Sequence, residues 1–148
     1  MNTFRYALSF RATHPFVDLS ELCHELDVTP LRIWKAGDRR RTPKGDPLDG
    51  VYTQSYCTLT LDHPRNMQLA HAIAVFLVRA RSIKPLLARL SESGAEFNLF
   101  VGWFTEGNSG ARLRWELLRD LAELQISLDL DVYGDDHSPS VSGDAAPC

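Results

Sequence analysis

Most of the features that announce a function are missing from this chain of 148 residues. No apolar run approaches the ~18 residues that span a bilayer, so a membrane protein is not expected. The segment Met1 to Tyr6 has neither an apolar h-region nor a small-residue cleavage site, which argues against export. The three cysteines, Cys23, Cys57 and Cys148, are odd in number, far apart and without a CxxC pair. Neither a disulfide framework nor a zinc site is indicated, and a reducing cytoplasm is the expected setting. The histidines, His14, His24, His63, His71 and His137, form no HExxH or other ligand spacing. There is no phosphate-cradling glycine loop, no dinucleotide fingerprint and no internal repeat, so no cofactor is expected.

Basic charge is also missing where it might be looked for, because no Lys or Arg follows Arg119. Asp120, Glu123, Asp129, Asp131, Asp135, Asp136 and Asp144 give that stretch a charge of −7. The basic residues concentrate elsewhere. Arg32, Lys35, Arg39, Arg40, Arg41 and Lys44 place six of sixteen within thirteen positions, interrupted only by Asp38. Two separately solvated patches are the simplest reading. The basic segment could instead lie against the acidic C-terminal edge of the same molecule.

What remains is the pattern of an ordinary globular domain. A chain of this length buries roughly 70% of its unfolded surface and needs no staples. Phe4, Tyr6, Leu8 and Phe10 alternate, which predicts a half-buried strand over Phe4–Arg11. Asp18 or Ser20 can cap a short helix whose stripe is Leu19, Leu22, Cys23 and Leu26. Thr29-Pro30 ends it, because the residue before proline avoids the α region. Pro30 to Gly50, dense in Gly, Pro and Asp, reads as a long loop. Val51–Leu61 is the second expected strand and Met67–Arg81 the strongest helix. A break near Ser82–Lys84 precedes a short helix with Pro85 in its first turn, ended by Gly94. Glu96–Phe104 is the third strand and Trp115–Leu124 the next helix, with Ile126–Tyr133 as the fourth strand.

The fold class that follows is α+β. A two-layer sandwich is expected, with a four-stranded, mainly antiparallel or mixed sheet and helices packed on one face. A ferredoxin-like strand order is one of several that fit. A single domain covers residues 1–133, and the small, acidic segment 134–148 reads as a disordered tail. A free edge on the first or fourth strand could support dimerisation by strand addition.

Pro30-x-Arg32-x-Trp34-x-x-Gly37-Asp38 resembles a bacterial family of domains of unknown function, number 4279. Similar to one branch of that family are the loop Arg41–Tyr52, the pair Ser55-Tyr56 and the ending Leu128–Tyr133. The likeness runs from about Tyr6 to Tyr133. Position 57, where the pattern leads one to expect an aromatic residue, holds Cys57. The resemblance implies a fold class and no established activity, so it carries over no catalytic residues.

The candidate binding residues are therefore Arg32, Trp34, Asp38, Arg39, Arg40, Arg41 and Lys44. Arginine presents a fork matched to carboxylate and phosphate, and Trp34 could anchor a partner or stack on a base. A structural reading stands beside this one, with Trp34 closing the core edge, Gly37-Asp38 making a turn and the arginines solvated. Gly107-Asn108-Ser109-Gly110-Ala111 is similar to a nucleophile elbow, with Asp131 and His137 following in triad order. The chain is too short for the parallel sheet of those hydrolases, and a turn with Ser109 or Asn108 capping a helix is the simpler expectation. Asp129 and Asp131 share one strand face, most simply the wet one. The function expected is a non-catalytic protein-binding module, immunity-like in its size and character. The alternative is a binder of a small anion or nucleic acid through residues 32–44, although a pI near 5.9 disfavours nucleic acid. An enzyme of unrecognised type is the third possibility.

Overall fold

Alternation along the first strand sets the architecture. In β1 (Arg5–His14), Leu8, Phe10, Ala12 and His14 are buried, and the residues between them are not. A strand that hides every second side chain belongs to a sheet covered on one face. The computed structural model describes residues 4–134, and the expected tail over 135–148 lies outside the described residues. The remaining elements are α1 (Ser20–Glu25), β2 (Arg32–Trp34), β3 (Arg39–Arg41), β4 (Pro47–Val51), β5 (Ser55–Thr60), α2 (Leu69–Ser82), α3 (Lys84–Glu92), β6 (Glu96–Phe104), α4 (Trp115–Glu123) and β7 (Ile126–Tyr133).

The main sheet has five strands in the order β2-β5-β1-β6-β7, and β3 and β4 form a separate two-stranded ribbon. The expected sheet of four strands is thus corrected to five plus a ribbon. Both additions come from the segment read as a loop, where β2 and β3 have three residues each. Three residues are too few to display a period, and their hydrogen bonds are completed by partners distant in sequence. The expected second strand is likewise divided, Val51 ending the ribbon and Ser55 opening β5. The α+β class and the mixed sheet agree with expectation. β1, β2, β5 and β6 pair antiparallel, whereas β6 and β7 are parallel. A parallel pair needs a crossover, and α4 supplies it. Relative to a ferredoxin-like order, β5 and β7 have exchanged edges.

Helical residues complete the core. Leu69, Ile73, Phe76, Leu77 and Ala80 of α2 and Leu86, Leu87 and Leu90 of α3 join Phe10, Leu59, Leu99 and Val101 in one buried cluster. Each such aliphatic side chain contributes about 1.5–3 kcal/mol on burial. Pro85 sits in the first turn of α3, where its missing N–H breaks no helical bond. At α1 the N-cap position is Leu19, and Asp18 bonds the Ser20 N–H at 2.8 Å. Gly94 has φ +116°, and a Cβ there would lie 2.9 Å from Cγ of Pro15.

His14 closes the end of β1. It is fully buried, its Nε2 lies 2.7 Å from Ser93 Oγ, and its Nδ1 accepts the Phe16 and Val17 N–H groups at 3.0 and 2.9 Å. Two backbone donors on Nδ1 leave the ring proton on Nε2. The ring therefore donates to Ser93 and is not placed to take its proton. Burial holds the His14 pKa below the ordinary histidine value.

Candidate functional site

The segment between α1 and β5 leaves the sheet, turns back as the ribbon and returns. Gly37 makes the exit turn at φ +88°, a conformation cheap only for glycine. Its N–H donates to the Tyr52 carbonyl at 2.8 Å, and the Tyr52 N–H donates to the Asp38 carbonyl at 2.9 Å. These bonds clamp the base of the ribbon. At the tip, the Thr42 N–H donates to the Asp46 carbonyl and the Gly45 N–H to the Thr42 carbonyl, both at 2.8 Å. The Tyr52 hydroxyl adds a third tie by donating to the Arg41 carbonyl at 3.1 Å.

Trp34 fixes the ribbon to the sheet. Its ring stacks on Tyr52 and Tyr56 with centroids 4.2 and 4.6 Å away, and the Arg32 guanidinium lies 5.0 Å over it. Its Nε1 donates to the Gln54 carbonyl at 3.1 Å. Three side chains of its own chain engage this ring, so Trp34 acts as a strut.

Between β2 and the ribbon lies an open groove of about 520 Å³. It collects five of the seven candidates, namely Arg32, Trp34, Asp38, Arg39 and Arg41, together with Tyr52. The other two are placed elsewhere. Arg40 alternates to the opposite side of β3, where its Nη1 reaches the Asp49 carbonyl at 3.4 Å. Lys44 belongs to the tip turn between Thr42 and Asp46 and does not line the groove. The ion pairs among the described residues involve Arg81, Arg89, Arg114 and Arg119. No described carboxylate lies within 4.0 Å of Arg32, Arg39 or Arg41. The Asp38 carboxylate accepts the Lys35 N–H at 3.1 Å. Three guanidinium groups around one concavity, with no carboxylate partner among the described residues, make a set suited to holding an anion.

The family model described as "Domain of unknown function (DUF4279)" matches residues 2–135. The chain belongs to the DUF4279 family. No curated protein and no solved structure matches it.

The other candidates of this DUF4279 chain fall outside the groove. Ser109 Oγ accepts the Trp103 Nε1–H at 2.9 Å, which ties the turn to β6. The capping expected of Ser109 or Asn108 is not made, because α4 starts at Trp115 with Arg114 at its N-cap. Asp131 lies on β7, and His137 falls outside the described residues. Asp129 accepts the Asn98 Nδ2–H at 2.6 Å and Asp131 accepts the Tyr133 hydroxyl. That bond, followed by partial burial, raises the Tyr133 pKa. β2 and β7 occupy opposite edges of the sheet, so Arg32 and the β7 carboxylates Asp129 and Asp131 stand on strands about 19 Å apart by strand spacing.

Cys23 and Cys57 are both buried. The hydrogen bond that the Cys57 thiol donates to Cys23, together with burial, pushes its pKa up and keeps it protonated. Among the described residues no group of three or more His, Cys, Asp or Glu side chains could hold a metal ion, and no helix is long and apolar enough to cross a membrane.

Sequence reasoning passed over Tyr52, Tyr56 and Arg11. The first two build the wall around Trp34. Arg11 lies on the uncovered face of β1, its guanidinium 3.8 Å over the Phe100 ring and its Nε without a hydrogen-bond partner. The alternation of β1 was the available signal, since it sets Arg11 opposite the buried Phe10.

Proposed function

We propose that this protein is a non-catalytic interaction module that binds an acidic segment of a protein partner in the groove between β2 and the ribbon. The carrying observation is that Arg32, Arg39 and Arg41 line one concavity without a carboxylate partner among the described residues. Among the described residues no ion pair has to break before these groups bind, and each can form charge-assisted hydrogen bonds worth about 1.5–3 kcal/mol. The ribbon is tied down by Trp34 and Tyr52, so little ordering accompanies binding. A protein is favoured over nucleic acid because the whole chain carries −3 and its basic patch is small. An immunity-like role, in which the acidic partner is a toxin, is a special case of this reading.

The test is affinity capture of tagged protein from its native cells, with and without nuclease. An Arg39→Ala/Arg41→Ala double variant and an Arg40→Ala variant run beside it. The reading expects a stoichiometric protein partner that is lost with the double variant and kept with Arg40→Ala. A nuclease-sensitive signal would move the groove to nucleic acid. Equal loss with Arg40→Ala would show that charge alone, without the groove, carries the interaction.

A further inference from the structure

The opposite edge of the sheet has a different character and does not depend on the groove. Among the described residues β7 is the last strand, eight residues or about 26 Å long, and pairs only with β6. The Thr105 N–H donates to the Tyr133 carbonyl at 3.1 Å. In a parallel pair, a residue whose carbonyl points to the neighbouring strand also points its N–H there. Tyr133, Asp131 and Asp129 therefore bond to β6. The N–H and C=O groups of Leu128, Leu130 and Val132 point away from the sheet, with no partner among the described residues.

The side chains of those outward-facing residues are also poorly covered. Leu130 is 52% exposed and Val132 59%. Both lie on the face that is buried elsewhere in the sheet, as their register partners Val101 and Trp103 show. α4, which packs on β7, also carries exposed Trp115 and Leu118. On the other face stand Asp129 and Asp131, both exposed. Natural edges of this length are usually blunted by lysine, proline or a bulge. This one alternates apolar and acidic residues from Leu128 to Val132.

We infer that the β7 edge is a docking site for an extended, basic segment of a partner protein, which adds to the sheet as a sixth strand. The charge pattern selects this occupant. A two-fold pairing of β7 with a second copy, centred on Leu130, would set Asp129 against the partner copy's Asp131 twice, and like charges directly opposed destabilise a sheet. The segment after β7 is itself acidic, with Asp135, Asp136 and Asp144, and is disfavoured for the same reason. An incoming strand that alternates Lys or Arg with valine-sized residues satisfies everything the edge offers. Its backbone bonds Leu128, Leu130 and Val132, its cations face Asp129 and Asp131, and its apolar side chains cover Leu130 and Val132.

The test uses the full chain and two synthetic peptides, Ac-Thr-Lys-Val-Lys-Val-Lys-Thr-NH2 and its counterpart with Glu in place of Lys. Amide hydrogen exchange is followed residue by residue. Exchange at Leu128, Leu130 and Val132 should slow with the basic peptide and not with the acidic one. Asp129→Lys/Asp131→Lys should reverse that preference. Leu130→Pro removes an outward N–H without touching the β6 pairing, and should weaken binding about fivefold with the circular dichroism unchanged. Equal response to both peptides, no response at millimolar peptide, or protection confined to β2 would overturn the inference. So would protection of β7 that rises with protein concentration alone, which would mark a second copy as the occupant.

Discussion

Replacing His14 by Asn should make stability nearly independent of the proton that this buried ring excludes. Nδ1 of His14 accepts the N–H groups two and three residues ahead, at 3.0 and 2.9 Å. This is the pattern of an Asx turn. Asn can reproduce it through Oδ1, whereas Ala cannot. His14→Ala should cost about 2–4 kcal/mol, from orphaned backbone donors and a cavity. His14→Asn should cost less. The pH dependence separates packing from protonation. The native-state pKa of His14 lies below that of the unfolded chain, whose value is about 6.5. The unfolded state therefore binds the extra proton as pH falls. The contribution is fully present above about pH 6.5 and is lost progressively below it, down to the native pKa. One proton allows a slope of at most about 1.4 kcal/mol per pH unit, and the loss between pH 7 and 5.5 reaches up to about 1.2 kcal/mol. Urea unfolding of both proteins at pH 8, 7, 6 and 5 measures this directly, because all other titrating groups are shared. The stability advantage of wild type over His14→Asn should shrink as pH drops. An advantage that stays constant, or grows, would refute the argument that His14 is held neutral.

Gly94→Ala meets both a φ of +116° and a Pro15 contact at 2.9 Å, so it should lower unfolding stability by about 1–3 kcal/mol, read from the urea midpoint at unchanged m. Trp34→Ala removes the strut of the ribbon. Faster amide exchange at Gly37 and Tyr52 with little change at Leu99 is expected, and equal acceleration at Leu99 would make Trp34 part of the global core. Ile73→Ala, at a fully buried position of α2, should cost about 2–5 kcal/mol, whereas Val78→Ala at an exposed position of the same helix should stay within about 0.5 kcal/mol.

The elements read most securely are those whose period repeats several times. β6 has the bounds expected for it, Glu96–Phe104, because Phe97, Leu99, Val101 and Trp103 alternate over the whole strand. α2 and α4 fall within two residues of their expected limits for the same reason at helical spacing. β2 and β3 were invisible because three residues hold no period and their partners are supplied from afar, by β5 and β4. Within the site, charge density singled out Arg39, Arg40 and Arg41 together. Only the ribbon's alternation separates Arg40 from its neighbours. Tyr52 and Tyr56 read as ordinary strand aromatics, and nothing local to them announces a stack on Trp34.

Composition and periodicity alone determined that this chain makes an α+β fold with one covered sheet face and two charge-segregated segments. They determine this because burial of alternating apolar side chains is a local property, written every two or four residues. The tertiary structure decided the strand order, and with it the separation of Arg32 on β2 from Asp129 and Asp131 on β7 to opposite edges of the sheet. Pairing depends on which backbone edges remain free once the core is buried, and no short stretch of sequence encodes that.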